Sequence, residues 1–329
     1  MMQAAYYERT GPARQVLQVG ELPVPEPGPG EVRVRLVCSG VNPSDVKTRA
    51  GLRTPVLPFP RIVPHSDGAG VIDRVGDGVP ANRVGQRVWT WNAAWKRADG
   101  TAAGYVVLPA EQAVALPPGV PFEVGACLGI PALTALHAVR MDGGVSGKSL
   151  LVTGGAGAVG HYAIQMAKLA GARQVLATVS SEEKGEQALR AGADAAIDYR
   201  REDVAARVMA ITAGQGVDRV IEVDLAANVN ASLAAIRPEG DIVVYGSGRP
   251  EIAVPFFPAI LKNVRLRFFI VYHLAPADRL AAIAQLTDWL NDGRLQHRIA
   301  AALPLEEIAE AHELVESGRA TGNVVLTIG

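Results

Sequence analysis

Residues 150–171 read LLVTGGAGAVGHYAIQMAKLAG. An apolar run ends at Thr153, a glycine-rich turn follows, and a helical pattern opens at its last glycine. Gly155, Gly157 and Gly160 satisfy G-x-G-x-x-G. Between a strand and a helix, that spacing is the fingerprint of a dinucleotide pyrophosphate site. The glycines allow a tight turn and a close backbone approach, and the helix N-terminus attracts the pyrophosphate charge. Ala158 and Val159 fall inside the fingerprint, and Val159, Ala163, Met166, Ala167 and Ala170 form one apolar face to pack on a sheet. A glycine-rich turn alone is also common punctuation between packed elements, so the context carries the reading.

A rival motif lies just upstream. Ser146–Gly147–Lys148–Ser149 copies the end of a P-loop, but Asp142 occupies the place of the required first glycine. That turn also precedes its strand instead of following it, and both departures exclude the P-loop.

Outward from the loop, apolar runs recur as SLLVTG, QVLATVS, AAIDY, RVIEVD, DIVVYG and RLRFFIVY, with helical segments between them. Continuous apolar runs suit parallel strands buried on both faces. Six of them with interleaved helices predict a doubly wound α/β sheet. Residues 1–122 read differently, as short β-type runs parted by Gly and Pro; Glu31 to Leu36 alternate like a strand with one wet face. They predict an irregular β-barrel domain. The expected division is therefore 1–122, 123–272, and a tail of 273–329 with two amphipathic helices and a last strand, NVVLTIG.

The chain has 329 residues, 49% hydrophobic and 20% charged, with a formal net charge of −1. That length allows two cores, and the near-neutral balance gives no electrostatic footprint for nucleic acid or an anionic membrane. The start, MMQAAYYERTG, lacks the pattern of a secretory signal. No apolar run approaches the roughly 18 residues that span a bilayer. Cys38 and Cys127 are too few for a disulfide framework or a four-thiolate zinc site. A cytoplasmic protein is expected.

The choice of dinucleotide turns on the end of the second strand, ATVSSEEK. An NAD site typically has an acidic residue about 20 positions after the fingerprint. Here Ser180 and Ser181 stand there, and Lys184 adds charge for a 2′-phosphate, with Tyr199 and Arg200 after the third strand able to close on the same ribose. Glu182 and Glu183 read instead as favourable charge in a helix first turn. NADPH is expected over NADH.

With a β domain in front and a nucleotide domain behind, the chain resembles the medium-chain dehydrogenase/reductase superfamily, and within it the quinone oxidoreductases that include zeta-crystallin. Five segments in the family's order carry the resemblance: SGVNPSDVKTRAG (39–51), PHSDGAGVIDRVGDGV (64–79), LGIPALTAL (128–136), TGGAGAVG (153–160) and LPLEEIAEAHELVESGRATGNVVLTI (303–328). It implies a GroES-like first domain, a Rossmann NADP-binding domain and a tail that returns to the first domain. Zinc members of the superfamily have a cysteine, a histidine and a cysteine where this chain has Asn42, Ser66 and the vicinity of Ile130. The four-cysteine lobe is replaced by TWNAAWKRADGTAAG. No metal is expected. His65, one position off, reads as a loop histidine with local hydrogen bonds, since one histidine does not assemble a zinc site.

The resemblance also assigns roles. Asn42 stands beside the nicotinamide with Asp45 as its structural neighbour, and Thr134 contacts the nicotinamide end of the cofactor. Tyr245, Gly246 and Ser247 lie where the cofactor crosses the sheet edge; the backbone of Phe269, Ile270 and Val271 holds the carboxamide; Arg319 and Asn323 reach back from the tail. Asn42 and Thr134 are the candidate catalytic residues. Each also has a plainer reading: Asn42 before Pro43 as an Asx-type turn, Thr134 as a helix hydroxyl bonded to its own backbone. Lys47 and Arg53 replace family tyrosines, either as substrate-pocket cations or as solvated surface groups. A metal-free reductase needs an electron-poor acceptor, so a quinone or enone is expected. An enoyl-thioester or alkenal reductase is one alternative, and an NADPH-loaded binding or RNA-binding protein is another. A homodimer or homotetramer is expected, joined through the strand near Arg265 to Val271.

Overall fold

The structure is a computed structural model describing residues 1–53 and 55–329. It divides into two compact units, 1–131 with 287–329, and 132–286.

In the first unit, β1 (Met2–Tyr6) and β2 (Gln18–Leu22) flank α1 (Ala13–Val16) and pair antiparallel. β3 (Glu31–Val41), α2 (Pro43–Arg49), β4 (Asp67–Val75), β5 (Arg87–Thr90), β6 (Tyr105–Pro109), β7 (Ala113–Ala115) and α3 (Phe122–Gly125) follow. Along β3 the inward Val32, Val34 and Leu36 are buried while Arg35 is exposed, as the alternation predicts. Past a register shift between Leu36 and Cys38 the strand is buried on both faces. β3 is the centre of the sheet, pairing with β4, β6 and the tail strand β15 (Asn323–Thr327). Ile72, Val88, Val106, Leu108 and Leu326 meet the inward β3 residues in one core. Each such side chain contributes about 1.5–3 kcal/mol by leaving water.

The second unit carries α4 (Leu133–Arg140), β8 (Ser149–Val152), α5 (Ala158–Leu169), β9 (Gln174–Val179), α6 (Glu182–Arg190), β10 (Ala195–Asp198) and α7 (Val204–Ile211). β11 (Val217–Glu222), α8 (Leu225–Ala235), β12 (Ile236–Val244), α9 (Phe256–Ile260) and β13 (Arg265–Phe268) complete its sheet, whose order is β10-β9-β8-β11-β12-β13. Every pairing is parallel. The order reverses between β8 and β11, and ligands of such sheets bind at the carboxyl ends of strands beside that reversal. Arg219 of β11, buried completely, donates to the carbonyls of Ala138 and Met141 at the end of α4 and pairs with Asp241 at 3.2 Å. It satisfies helix-end carbonyls that would otherwise be stranded.

α10 (Pro276–Asn291), β14 (Ile299–Pro304), α11 (Ile308–Glu316) and β15 form the tail. The units part at 131/132 and 286/287, where the sequence suggested 122/123 and 272/273. Residues 123–131 stay with the first unit because α3 packs on β3, β4 and β5.

Candidate functional site

In the second unit the fingerprint turn is held from both sides. Thr153 donates its hydroxyl to Glu222 Oε1 at 2.9 Å and accepts the Val223 N–H at 2.9 Å, fixing the end of β8 to the end of β11. Glu222, fully buried, gathers the Asp224 N–H, the Asn228 amide and the Ser232 hydroxyl as well. On the other side the Gly154 and Gly155 N–H groups donate to Thr178 of β9.

The three glycines have different reasons. A Cβ on Gly155 would lie 2.7 Å from the Ala177 Cβ, and one on Gly160 2.3 Å from the Gly154 carbonyl oxygen. Gly157, the N-cap of α5 with ordinary φ −78°, would bring a Cβ no nearer than 3.2 Å to anything in the protein. Of the three, Gly157 is the one the fold constrains least, its neighbour needing to give by only a few tenths of an ångström. The N–H groups of Ala158, Val159 and Gly160 have no backbone acceptor among the described residues. They point along the positive end of a 12-residue helix. These groups fit a dinucleotide pyrophosphate.

Ser180 follows β9, and the Ser181 hydroxyl oxygen caps α6 by accepting the Lys184 N–H at 3.3 Å. Glu182 and Glu183 occupy the first turn of that helix, as the sequence suggested. Tyr199 is exposed after β10, and Asp198 accepts the Arg200 N–H. At the ends of β11 and β12, the Tyr245 N–H reaches the Glu222 carbonyl and the Leu225 N–H the Gly246 carbonyl. Burial raises the Tyr245 phenol above its ordinary value, and nearby Glu222 adds to this. Ser247 closes a small turn with Arg249. Beyond β13, Phe269 N–H bonds to Val244, the Ile270 carbonyl takes the His273 N–H, and the Val271 carbonyl takes Arg279 at 2.7 Å. Thr134 is buried on α4, one turn before His137, whose ring packs on Phe269 with centroids 4.8 Å apart. Its hydroxyl makes no bond back to the helix, unlike Thr48 and Thr212. A cavity of about 270 Å³ in this unit, lined by His137, Arg140, Asp142, Arg267 and Asp278, holds none of these predicted residues.

In the first unit Asn42 is the N-cap of α2 and forms a capping box with Asp45, with Pro43 in the first turn. Its side-chain oxygen takes the Asp45 N–H, and the Asp45 carboxyl takes the Asn42 N–H at 2.9 Å. The plainer turn reading is therefore correct as far as it goes. It also leaves Nδ2 to donate, and one of its hydrogens goes to Asp67 Oδ2 at 2.9 Å. Burial pushes the Asp45 carboxyl up to about 7, against lowering by its Asn42 bonds and the Arg53 charge. Arg53 thus acts near Asp45, and Lys47 lies on α2 itself. Arg319 is exposed and bonds to Ser317. The Asn323 amide donates to the Arg298 carbonyl, tying β15 to the segment before β14.

His65 is not a local loop histidine. It is fully buried at φ +79°, and its Nε2 lies 2.9 Å from Nε2 of His312 in α11. Its Nδ1 meets the Ser39 hydroxyl at 2.8 Å, and Ser39 meets Thr101 at 2.8 Å. Thr101 commits its only hydrogen to the Asp67 carbonyl. Ser39 therefore donates to Thr101, His65 Nδ1–H to Ser39, and His312 Nε2–H to His65. Both rings are neutral: burial lowers His65 to about 3, and burial, His65 and Arg49 lower His312. Sequence spacing could not pair residues 247 apart, but Asp67 inside PHSDGAG was legible as an acid in an apolar, glycine-rich strand.

Residues 28–118 match the alcohol dehydrogenase GroES-like domain family, and 158–289 the zinc-binding dehydrogenase family. A quinone oxidoreductase of Pongo abelii is 31% identical over 98% of this chain and 96% of its own length. A 2-haloacrylate reductase of a Burkholderia species is 31% identical over 99% and 98%. Among solved structures, an NAD-dependent alcohol dehydrogenase matches with a TM-score of 0.91 and 33% identity, covering all of both chains. The Escherichia coli quinone oxidoreductase complexed with NADPH matches with a TM-score of 0.87 and 26% identity over 99% of each chain. The chain belongs to the quinone oxidoreductase family of the medium-chain dehydrogenases/reductases, and is an oxidoreductase.

Proposed function

We propose that this chain is an NADPH-dependent, zinc-independent reductase of quinones or related electron-poor conjugated carbonyls. The observation that carries the reading is Asn42, an oriented amide donor in the position where zinc relatives have a cysteine. Ser66 and the vicinity of Ile130 stand where the resemblance puts the other two zinc ligands, so the chain offers no ligand set for a metal that would acidify an alcohol. When bound, NADPH supplies the hydride. The helix N-terminus at Ala158 to Gly160 takes its pyrophosphate, Gly157 leaves room for it, and Lys184 with Ser180, Ser181 and Tyr199 takes its 2′-phosphate. Tyr245, Gly246 and Ser247 line its path. The Phe269 carbonyl and the Ile270 and Val271 N–H groups, which have no backbone partner among the described residues, hold the carboxamide. Asn42 and Thr134 place polar groups near the charge that develops on the acceptor, where preorganised donors count most. Arg319 and Asn323 support the cofactor from the tail, and Lys47 and Arg53 favour a polar or anionic acceptor.

The 2-haloacrylate reductase relative favours a second reading, in which the acceptor is a conjugated C=C bond. Absorbance at 340 nm tests both: NADPH is oxidised by simple quinones or enones with a chelator present. A requirement for added zinc, or no turnover of any such acceptor, would end the proposal. A cytoplasmic location fits a chain in which no described helix is long and apolar enough to cross a membrane.

A further inference from the structure

Asp67 opens β4 with its side chain sealed from solvent. Oδ2 accepts two donors, the Asn42 amide at 2.9 Å and the Ile130 N–H at 3.0 Å. Oδ1 has no hydrogen-bond partner among the described residues. Gly129 is packed over it so tightly that a Cβ there would stand 2.3 Å from Oδ1 and 2.6 Å from the Thr90 carbonyl. The Asp67 backbone is held too, its carbonyl taking the Thr101 hydroxyl at the end of the Ser39–His65–His312 chain.

Of the titratable groups, Asp45 from α2 acts on Asp67 by its charge, Asp67 acts in turn on Cys127 after α3, and the neutral His65 stands two residues before it. None is a cation, and Arg53 acts on Asp45. A sealed carboxylate with one bare oxygen and an acidic neighbour is far costlier than the neutral acid. Burial, then the Asp45 charge, push the Asp67 carboxyl well above the ordinary range against its two hydrogen bonds. Two chain segments meet on its Oδ2, the N-cap of α2 and the turn Leu128–Ala132.

We infer that Asp67 is a positioning residue: as an uncharged acid it fixes the Asn42 amide against the Leu128–Ala132 turn, and so holds the rotamer of the amide proposed above to serve the reaction. This rests on the proposed role of Asn42, and the experiment separates the two. Kinetics with NADPH and a quinone are measured for N42A, D67A, the double variant and D67N, with melting curves for each. Loss of Asn42 lowers kcat on the order of 10- to 100-fold, as for a lost donor at developing charge. D67A then lowers kcat similarly with little change in the KM for NADPH, and the double variant is no worse than N42A. D67N, which keeps one acceptor oxygen and no charge, stays within about threefold of wild type, since an amide reproduces the neutral acid's shape and its Oδ2 contacts. Its kcat profile from pH 5 to 8 overlays the wild type.

An unchanged kcat in N42A overturns the role of Asn42 itself. A low N42A with additive D67A and N42A effects overturns positioning by Asp67. A wild-type pH limb that vanishes in D67N, or a D67N as slow as D67A, shows that the charge is needed and overturns the uncharged acid. If D67A does not fold, D67V, apolar and unable to accept the Asn42 amide, takes its place in the comparison with N42A.

Discussion

The Ser181 oxygen accepts the α6 cap bond and keeps its O–H to donate, so under the proposed function the choice of 2′-phosphate over hydroxyl rests on a nearby charge. Lys184 is the cation in that helix turn. K184A should raise the KM for NADPH on the order of tenfold, the worth of a charge-assisted hydrogen bond. The KM for NADH should change less than about twofold by the same reasoning; equal effects would place Lys184 away from the phosphate. The histidine pair has its own signature. Each is neutral in the fold, with its value lowered, and unfolded histidine titrates near 6.5. Their contribution to stability is present above that pH and is lost as pH falls toward 3. H312Q therefore melts relatively better at pH 5 than at pH 7 when compared with wild type, and a pH-independent difference would contradict this. Asp45 has the opposite sign, because its raised carboxyl gives stability that is lost as pH rises through about 7. The Asn42 reading came from residue type and position. Asp67 was visible as an acid, but its partner Ile130 and the His65–His312 contact depend on segments that only tertiary packing brings together.

The loop between β8 and α5 was the most legible element, since strand, glycines and helix follow one another in sequence. Six strands were expected from six apolar runs, and six pair in parallel. Less legible was which glycine serves the fold. G157A should cost less than G160A, on the order of 1 kcal/mol, since a Cβ 3.2 Å from the Gly154 carbonyl oxygen is tight but needs a shift of only a few tenths of an ångström. It should weaken NADPH binding by on the order of tenfold or more by blocking the backbone's approach. G160A should lower stability by about 1–3 kcal/mol, as overpacking does, because its Cβ would sit 2.3 Å from a backbone oxygen. Chemical denaturation and fluorescence titration measure the two effects. Equal damage to stability in both variants would mean that Gly157 is there for packing alone.

At the scale of the molecule, the chain splits its predicted residues between two units, with Asn42, Lys47, Arg53, Arg319 and Asn323 in one and the remainder in the other. Sequence could not place the first boundary because α3, only 4 residues long, shows its allegiance through packing on β3, β4 and β5. β13 is an edge strand of the parallel sheet, and Phe257, Leu261 and Phe268 are 70%, 80% and 61% exposed on or near it. Unprotected edges with apolar neighbours invite pairing, so sedimentation should give a dimer or tetramer that F268K shifts toward monomer; a wild-type monomer would contradict that. As proposed, the protein passes hydride from NADPH to an electron-poor acceptor without a metal, and this can be measured directly. It is tested most directly by steady-state rates under chelation across quinones, enones, enoyl thioesters and simple alcohols with both nicotinamide cofactors. Quinones or enones should turn over with NADPH preferred over NADH, and alcohols should not turn over. Zinc-dependent alcohol oxidation with NAD, and no reduction of conjugated acceptors, would contradict it.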